Sequence, residues 1–166
     1  MRLALYQPEI PQNTGTILRM AACFGVEVDL IGPASFDLSD RALRRAALDY
    51  LPQAVVTRHV SFAAFAQQHA QTEAGSRLVL ATTKADVAHT AFHFRKDDVV
   101  LFGRESAGVP DSVHAQADAR IAVPLQPDMR SLNIAVCAAI IVGEALRQLN
   151  AYPPMLPAPS DPAHEA

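Results

Sequence analysis

The chain reads as a single α/β domain built on a mainly parallel sheet flanked by helices. Three observations predict this. Six short apolar stretches are rich in β-branched residues, most are separated by helix-like patterns, and no repeat or linker divides the 166 residues, half of them apolar. The stretches are Leu3 to Tyr6, Val26 to Ile31, Val55 to Thr57, Leu78 to Thr82, Val99 to Phe102 and Ile121 to Val123. The first helix is expected to start near Asn13 and Thr14, natural caps, and to stop at Gly25. Its apolar side carries Ile17, Leu18, Met20, Ala21 and Phe24, which leaves Arg19 projecting away. Ser61 caps a helix bearing Phe62, Phe65 and Ala66, and Pro110 suits the first turn of a short helix. The longest helix spans Leu132 to Leu149 and is apolar all round from Ile134 through Gly143. A monomer would expose part of that surface, so a second subunit is expected against it. Residues 1–152 form the domain. Beyond Tyr152 five of the twelve prolines fall within fourteen residues, so 153–166 is expected to be a disordered tail.

Charge and cysteine usage narrow the function classes. Charged residues are 19% and the net charge is −3, which excludes a highly charged disordered chain and a generically basic nucleic-acid coat. Any nucleic-acid contact must be local. No apolar run is long enough to span a bilayer, and Met1-Arg2-Leu3-Ala4-Leu5 does not open a signal peptide, so a cytoplasmic protein with no membrane partner is expected. Cys23 and Cys137 lack the C-x-x-C spacing of zinc or redox sites and are expected to be buried free thiols. His89 and His93 stand four apart without a third ligand nearby; they are expected to be loop or surface residues, and no metal is expected.

Three segments follow expected strands, at the strand ends where open α/β sheets bind ligands. Pro8-Glu9-Ile10-Pro11-Gln12-Asn13-Thr14-Gly15, with Arg19 one turn on, is either a site for an anionic or polyhydroxyl ligand or an ordinary helix start with a surface arginine. Gly103-Arg104-Glu105-Ser106-Ala107-Gly108-Val109-Pro110 is a glycine-rich turn carrying a carboxylate. It is neither a P-loop nor a dinucleotide fingerprint. Val123 through Asn133 runs from a strand end into the apolar helix, with Ser131 and Asn133 at or near its N-terminus to face a ligand, or with Ser131 simply a capping serine. A Rossmann-type enzyme fits the strand rhythm, but Pro8 and Pro11 stand where its glycines belong.

In this order the segments resemble the three signature motifs of the SPOUT superfamily of RNA methyltransferases, in its ribose 2′-O-methylating branch. Asn13-Thr14-Gly15 with Arg19 resembles motif one, Gly103-x-Glu105-x-x-Gly108-Val109-Pro110 motif two, and Val123-Pro124 through Ser131-Leu132-Asn133 with Glu144 motif three. The match reaches about Leu149. Tyr6-x-Pro8-Glu9-Ile10-Pro11, Arg44-Arg45-Ala46-x-Leu48-Asp49-Tyr50, Thr57-Arg58-His59 and Thr82-Thr83-Lys84 are similar to one compact subgroup, which methylates the wobble ribose, cytidine or uridine 34, of leucine tRNAs. The resemblance implies a C-terminal deep trefoil knot, a homodimer with active sites at its interface, and S-adenosylmethionine as methyl donor. Carried over, Ala81, Thr82, Gly103, Glu105, Val123, Ser131, Leu132 and Asn133 would bind the donor, largely through backbone groups. Arg19 would be catalytic, with Asn13 positioning its loop. Ala135 stands where many members carry a serine, and no role attaches to Arg104. A ribose methyltransferase of ribosomal RNA or of another tRNA position, or a catalytically silent knotted RNA-binding protein, are the alternatives.

A guanidinium is essentially never neutral, so Arg19 suits a phosphate clamp and alkoxide stabiliser better than a general base. Arg41, Arg44, Arg45, Arg58 and His59 form a candidate basic surface for the tRNA anticodon stem-loop, or simply a solvated helix face.

Overall fold

The computed structural model describes residues 1–155 except 38, 73 and 74; most of the proline-rich tail, from 156 onward, lies outside the described residues. The elements run β1 (Arg2–Tyr6), α1 (Pro11–Phe24), β2 (Glu27–Ile31), α2 (Arg41–Ala47), a 3-10 turn (Leu48–Gln53) and β3 (Val56–His59). They continue with α3 (Phe62–Thr72), β4 (Leu78–Ala81), β5 (Val99–Phe102), α4 (Asp111–His114), β6 (Ala119–Ile121) and α5 (Ile134–Leu149). A strand forms at each of the six expected places, although β6 lies two residues earlier and shares only Ile121 with the expected stretch, and they join in one sheet ordered β3-β2-β1-β5-β4-β6 with every pairing parallel. Both faces of such a sheet must be covered, and strand alternation divides the core accordingly. Leu3 and Leu5 of β1 pack with Val100 and Phe102 of β5 beneath α1 and α5, whereas Ala4 and Tyr6 face Leu101, Phe65 and Val113 on the other side. Fully burying each large aliphatic side chain contributes about 1.5–3 kcal/mol.

The chain leaves β1 toward β2 and β3 and returns beside β1 as β5, so the strand order reverses between β1 and β5. A crevice opens beyond the strand ends at such a reversal, and the loops after Tyr6 and Phe102 face each other across it.

Helix α1 begins at Pro11, two residues before the expected cap, with Ile10 at the N-cap and no side-chain cap bond. Proline has no N–H to leave unpaired and its φ is already helical, so it opens the helix. Thr14 is buried instead of capping, and the Asn13 side chain is released for other partners. The helix ends at Gly25 as expected, where φ is +67°. Helix α5 starts at Ile134, with the Asn133 side chain accepting from the N–H groups of Ala135 and Val136 at 2.9 and 3.4 Å. Helix α2 was read in the sequence only as the alternative of a solvated helix face for Arg41, Arg44 and Arg45. Its start is set by Asp40, whose carboxylate accepts from the N–H groups of Ala42 and Leu43 at 2.7 and 3.2 Å.

Gly15 carries a packing requirement where the sequence suggested a ligand-facing turn. A Cβ there would meet the Leu43 carbonyl oxygen and lie 2.8 Å from the Ala46 Cβ, so α1 and α2 cross at this point. Helix propensity alone would make Gly15→Ala stabilising by about 1 kcal/mol. We expect the opposite sign, a loss of about 2 kcal/mol, because a backbone carbonyl cannot yield as a side-chain tip can. Urea denaturation measures that sign directly.

The expectation of two buried thiols is corrected, while His89 and His93 lie in a loop as expected. Cys23 is exposed, since it falls on the outer side of α1, while Cys137 is half-buried and desolvation pushes its thiol pKa up. His89 belongs to a loop but is buried, because the loop pairs with Ala122 through the His89 N–H and the Val87 carbonyl.

Candidate active site

The three loops beyond the strand ends converge on one cleft of about 640 Å³, within the range of small-molecule sites. All eight residues expected to hold a methyl donor line it: Ala81 and Thr82 after β4, Gly103 and Glu105 after β5, Val123 after β6, and Ser131, Leu132 and Asn133 before α5. Apolar cover comes from Leu125 and Ile134, and Thr82, Ser131 and Asn133 supply polar edges. That mixture suits an adenosine, whose face needs apolar contact and whose edge can be read by backbone.

A relay of side chains fixes the loops to one another. Glu105 Oε1 accepts from Asn13 Nδ2 at 3.2 Å, and Glu105 Oε2 accepts from the Glu9 N–H at 3.0 Å. Asn13 Oδ1 in turn accepts from Asn133 Nδ2 at 2.9 Å, while Asn133 Oδ1 caps α5. Each motif therefore donates one side chain to a single polar chain, and Asn133 joins the site to the last helix. Glu9 closes the crevice from the other direction. Its carboxylate accepts from the Ser106 N–H at 2.9 Å and the Ser106 hydroxyl at 2.8 Å. Those two bonds, the backbone one first, hold the Glu9 carboxyl below the usual range, with a smaller contribution from the charge of Arg104.

The motif-two loop is a closed hairpin. Arg104 and Gly108 exchange both backbone hydrogen bonds at 2.9 Å, and Gly108 has φ +65°. A Cβ on Gly103 would sit 2.5 Å from the Gly108 carbonyl carbon. Both glycines are thus demanded by the same turn, one for conformation and one for space.

Arg19 does not line this cleft. It is exposed on α1, with its guanidinium carbon 5.3 Å from the centre of the Tyr50 ring. An aromatic face holds a guanidinium without occupying its N–H donors, which remain available at its edge. Arg41, Arg44 and Arg45 on α2 and Arg58 on β3 are exposed. His59 is not part of that surface: it is 7% exposed, its Nε2 lies 2.7 Å from Asp29 Oδ1, and Asp29 also accepts from Arg2. Strand alternation turned it inward beside a buried carboxylate. Glu144, the last motif-three residue, lies outside the cleft too. Arg147 and then Gln148 hold its carboxyl at about 2, and Gln148 ties α5 to the 82–98 connector through Phe92 and Phe94.

Sequence reasoning missed the reciprocal clamp of Glu9 and Ser106, and the further cations lining the cleft, Lys84, Arg104 and Arg130. The available signal was an acidic residue in each of two strand-end turns, which becomes informative only once the turns are known to touch. Among the described residues no group of histidine, cysteine or carboxylate side chains could hold a metal, and no helix is long and apolar enough to cross a membrane.

A parallel sheet with a reversal crevice, closed by three loops around a cleft of small-molecule size, defines an α/β protein with a ligand site at its strand-order reversal, and comparison gives the class. Residues 1–143 match the SpoU rRNA Methylase family, and the chain belongs to that methyltransferase family. It is 59% identical to a tRNA (cytidine(34)-2′-O)-methyltransferase of Beijerinckia indica, over 95% of this chain and 97% of that one. Its identity to the enzyme of the same name from Escherichia coli K12 is 40%, over 92% and 96% of the two chains. A solved structure concerned with 2-OH methylation of C/U34 on tRNA superposes with a TM-score of 0.84 at 40% identity, covering 90% of this chain and 95% of that one. The SpoU methyltransferase AviRb of Streptomyces viridochromogenes, in complex with AdoMet, superposes with a TM-score of 0.83 at 26% identity. That match covers 92% of this chain and 59% of AviRb.

Proposed function

We propose that this chain is an S-adenosylmethionine-dependent 2′-O-methyltransferase of the wobble nucleotide 34, cytidine or modified uridine, of tRNA(Leu). The observation that carries the reading is the convergence of all eight expected donor-binding residues on one cleft, locked by the Glu105, Asn13 and Asn133 relay. The high identity to enzymes named for cytidine 34 favours this position over ribosomal RNA or another tRNA site. The domain of residues 1–152 carries the activity, in the cytoplasm where its RNA resides.

Ala81, Thr82, Gly103, Glu105, Val123, Ser131, Leu132 and Asn133 would hold S-adenosylmethionine, which would supply the methyl group to the ribose 2′-oxygen with loss of its carbon–sulfur bond and of the hydroxyl proton. The chain's own task is to orient the ribose and to stabilise charge at that oxygen. Arg19 supplies a fork of donors to the neighbouring phosphate and the developing 2′-oxyanion. The proton leaves through that phosphate, water or another side chain. Asn13 holds the loop in register with Glu105. The exposed arginines Arg41, Arg44, Arg45 and Arg58 receive phosphates of the anticodon stem-loop, giving a salt-dependent affinity.

A homodimer fits the surface. Val136 and Ile140, one turn apart on α5, are 49% and 36% exposed, with Leu132 and Met129 continuing the apolar face. Because Arg19 lies outside the cleft of its own chain, a second protomer that presents its Arg19 there completes the site. A C-terminal trefoil knot fits the path of the chain. β6 is at the sheet edge, yet α5 packs on α1, and the 82–98 connector bonds both to Ala122 and to Gln148 on either side of the returning segment.

The testing experiment is transfer from labelled S-adenosylmethionine to unmodified and to fully modified leucine tRNAs, with nuclease digestion to locate the label. A 2′-O-methyl group at nucleotide 34 is the expected result. Donor binding without transfer to either tRNA would move the substrate to another RNA; absence of donor binding would favour a silent RNA-binding protein.

A further inference from the structure

The cleft has an excess of positive charge that the relay does not use. Lys84, Arg104 and Arg130 line it against one carboxylate, Glu105, whose two oxygens are already taken by Asn13 and the Glu9 N–H. Lys84 and Arg130 are exposed and can be satisfied by water. Arg104 is different. It is half-buried, its Nε is shut off from solvent, and that Nε has no hydrogen-bond partner among the described residues. The charge of Arg104 is felt at Glu9, but both Glu9 oxygens are held by Ser106.

The root of this side chain is fixed. The Arg104 N–H and carbonyl are both paired with Gly108, and the next two residues, Glu105 and Ser106, are tied to Asn13 and Glu9. Arg104 therefore cannot swing its loop away to find a partner. A guanidinium that lines a ligand cleft from a rigid loop, with a shielded Nε–H that no acceptor among the described residues satisfies, is a group prepared for an incoming acceptor. Guanidinium pairs best with a planar or tetrahedral oxyanion.

We propose that Arg104 is an oxyanion-binding residue of the cleft, engaging either the carboxylate at the amino-acid end of the methyl donor or a phosphate of the incoming nucleotide. This rests on the reading that the cleft holds S-adenosylmethionine. Both sources present the same chemistry, and binding measurements separate them. The probes are S-adenosylhomocysteine, methylthioadenosine, which lacks the amino-acid end, and an anticodon stem-loop RNA. They are titrated calorimetrically into wild type, Arg104→Gln and Arg104→Ala, with thermal melting to verify folding.

If the carboxylate is the partner, both variants bind S-adenosylhomocysteine about tenfold more weakly, while methylthioadenosine is unchanged. If a phosphate is the partner, both small ligands bind as in wild type, RNA binds more weakly, and the slope of log affinity against log salt falls by about one. Either pattern supports the assignment. Unchanged affinity for all three probes overturns it, and so does equal weakening of both small ligands, which would mean that the loop merely lost its shape. If wild type binds neither small ligand, the cleft reading fails and this assignment falls with it.

Discussion

Arg19→Ala is expected to lower kcat/KM for the RNA by about 10³-fold or more, the scale seen when a preorganised charge at a reacting oxygen is removed. S-adenosylhomocysteine affinity should stay within about twofold, and the folding midpoint should not move, because Arg19 is exposed and lies outside the cleft, with its guanidinium against the Tyr50 ring. Arg19→Lys keeps the charge but loses the planar fork and should recover only part of the rate. Near-wild-type turnover by the alanine variant would remove Arg19 from the mechanism. Single-turnover kinetics with the labelled donor, alongside calorimetry, separate the two quantities.

Gly103→Ala is expected to be the most damaging change to the cleft itself. The added Cβ would stand 2.5 Å from the Gly108 carbonyl carbon and 2.6 Å from its Cα, and neither can move without breaking the paired backbone bonds of the hairpin. Opening the hairpin displaces Glu105 from Asn13 and Ser106 from Glu9, so the whole relay loosens. We expect S-adenosylhomocysteine affinity to fall about 100-fold, roughly 2.7 kcal/mol, with about 2 kcal/mol lost from stability. Affinity within twofold of wild type would show that this loop is not a wall of the donor site. The two variants also test the dimer together. Mixed and allowed to exchange subunits, Arg19→Ala and Gly103→Ala chains should regain about a quarter of wild-type activity if an arginine from one protomer serves the cleft of the other. No recovery, with exchange verified, would place both functions in one chain.

Several elements were legible because local chemistry decides them. The six strands show as β-branched runs and Gly25 ends α1 through its left-handed conformation, whereas the cap of α5 is Asn133 and not the serine that the sequence offered. The three motifs could be ordered along the chain, and the eight residues expected to hold the donor do line the cleft, whereas Arg19 and Glu144 do not. Other features were not legible. Asn13 reads as a cap in isolation, but Pro11 opened the helix first and freed the amide to bridge Glu105 and Asn133, 92 and 120 residues away. His59 reads as part of a basic run with Arg58, yet alternation along β3 buries it against Asp29. Gly15 reads as a turn residue and proves to be a helix crossing.

The sequence by itself determined the six strands, most of the helices and the residue types available at each strand end, because propensity, capping and periodicity act within a few residues. The tertiary structure decided which strand ends meet, which carboxylate holds which amide, and which cations are left without a partner. Those outcomes depend on the reversal of strand order between β1 and β5, which brings residues about a hundred positions apart within hydrogen-bonding distance, and no local pattern encodes that juxtaposition.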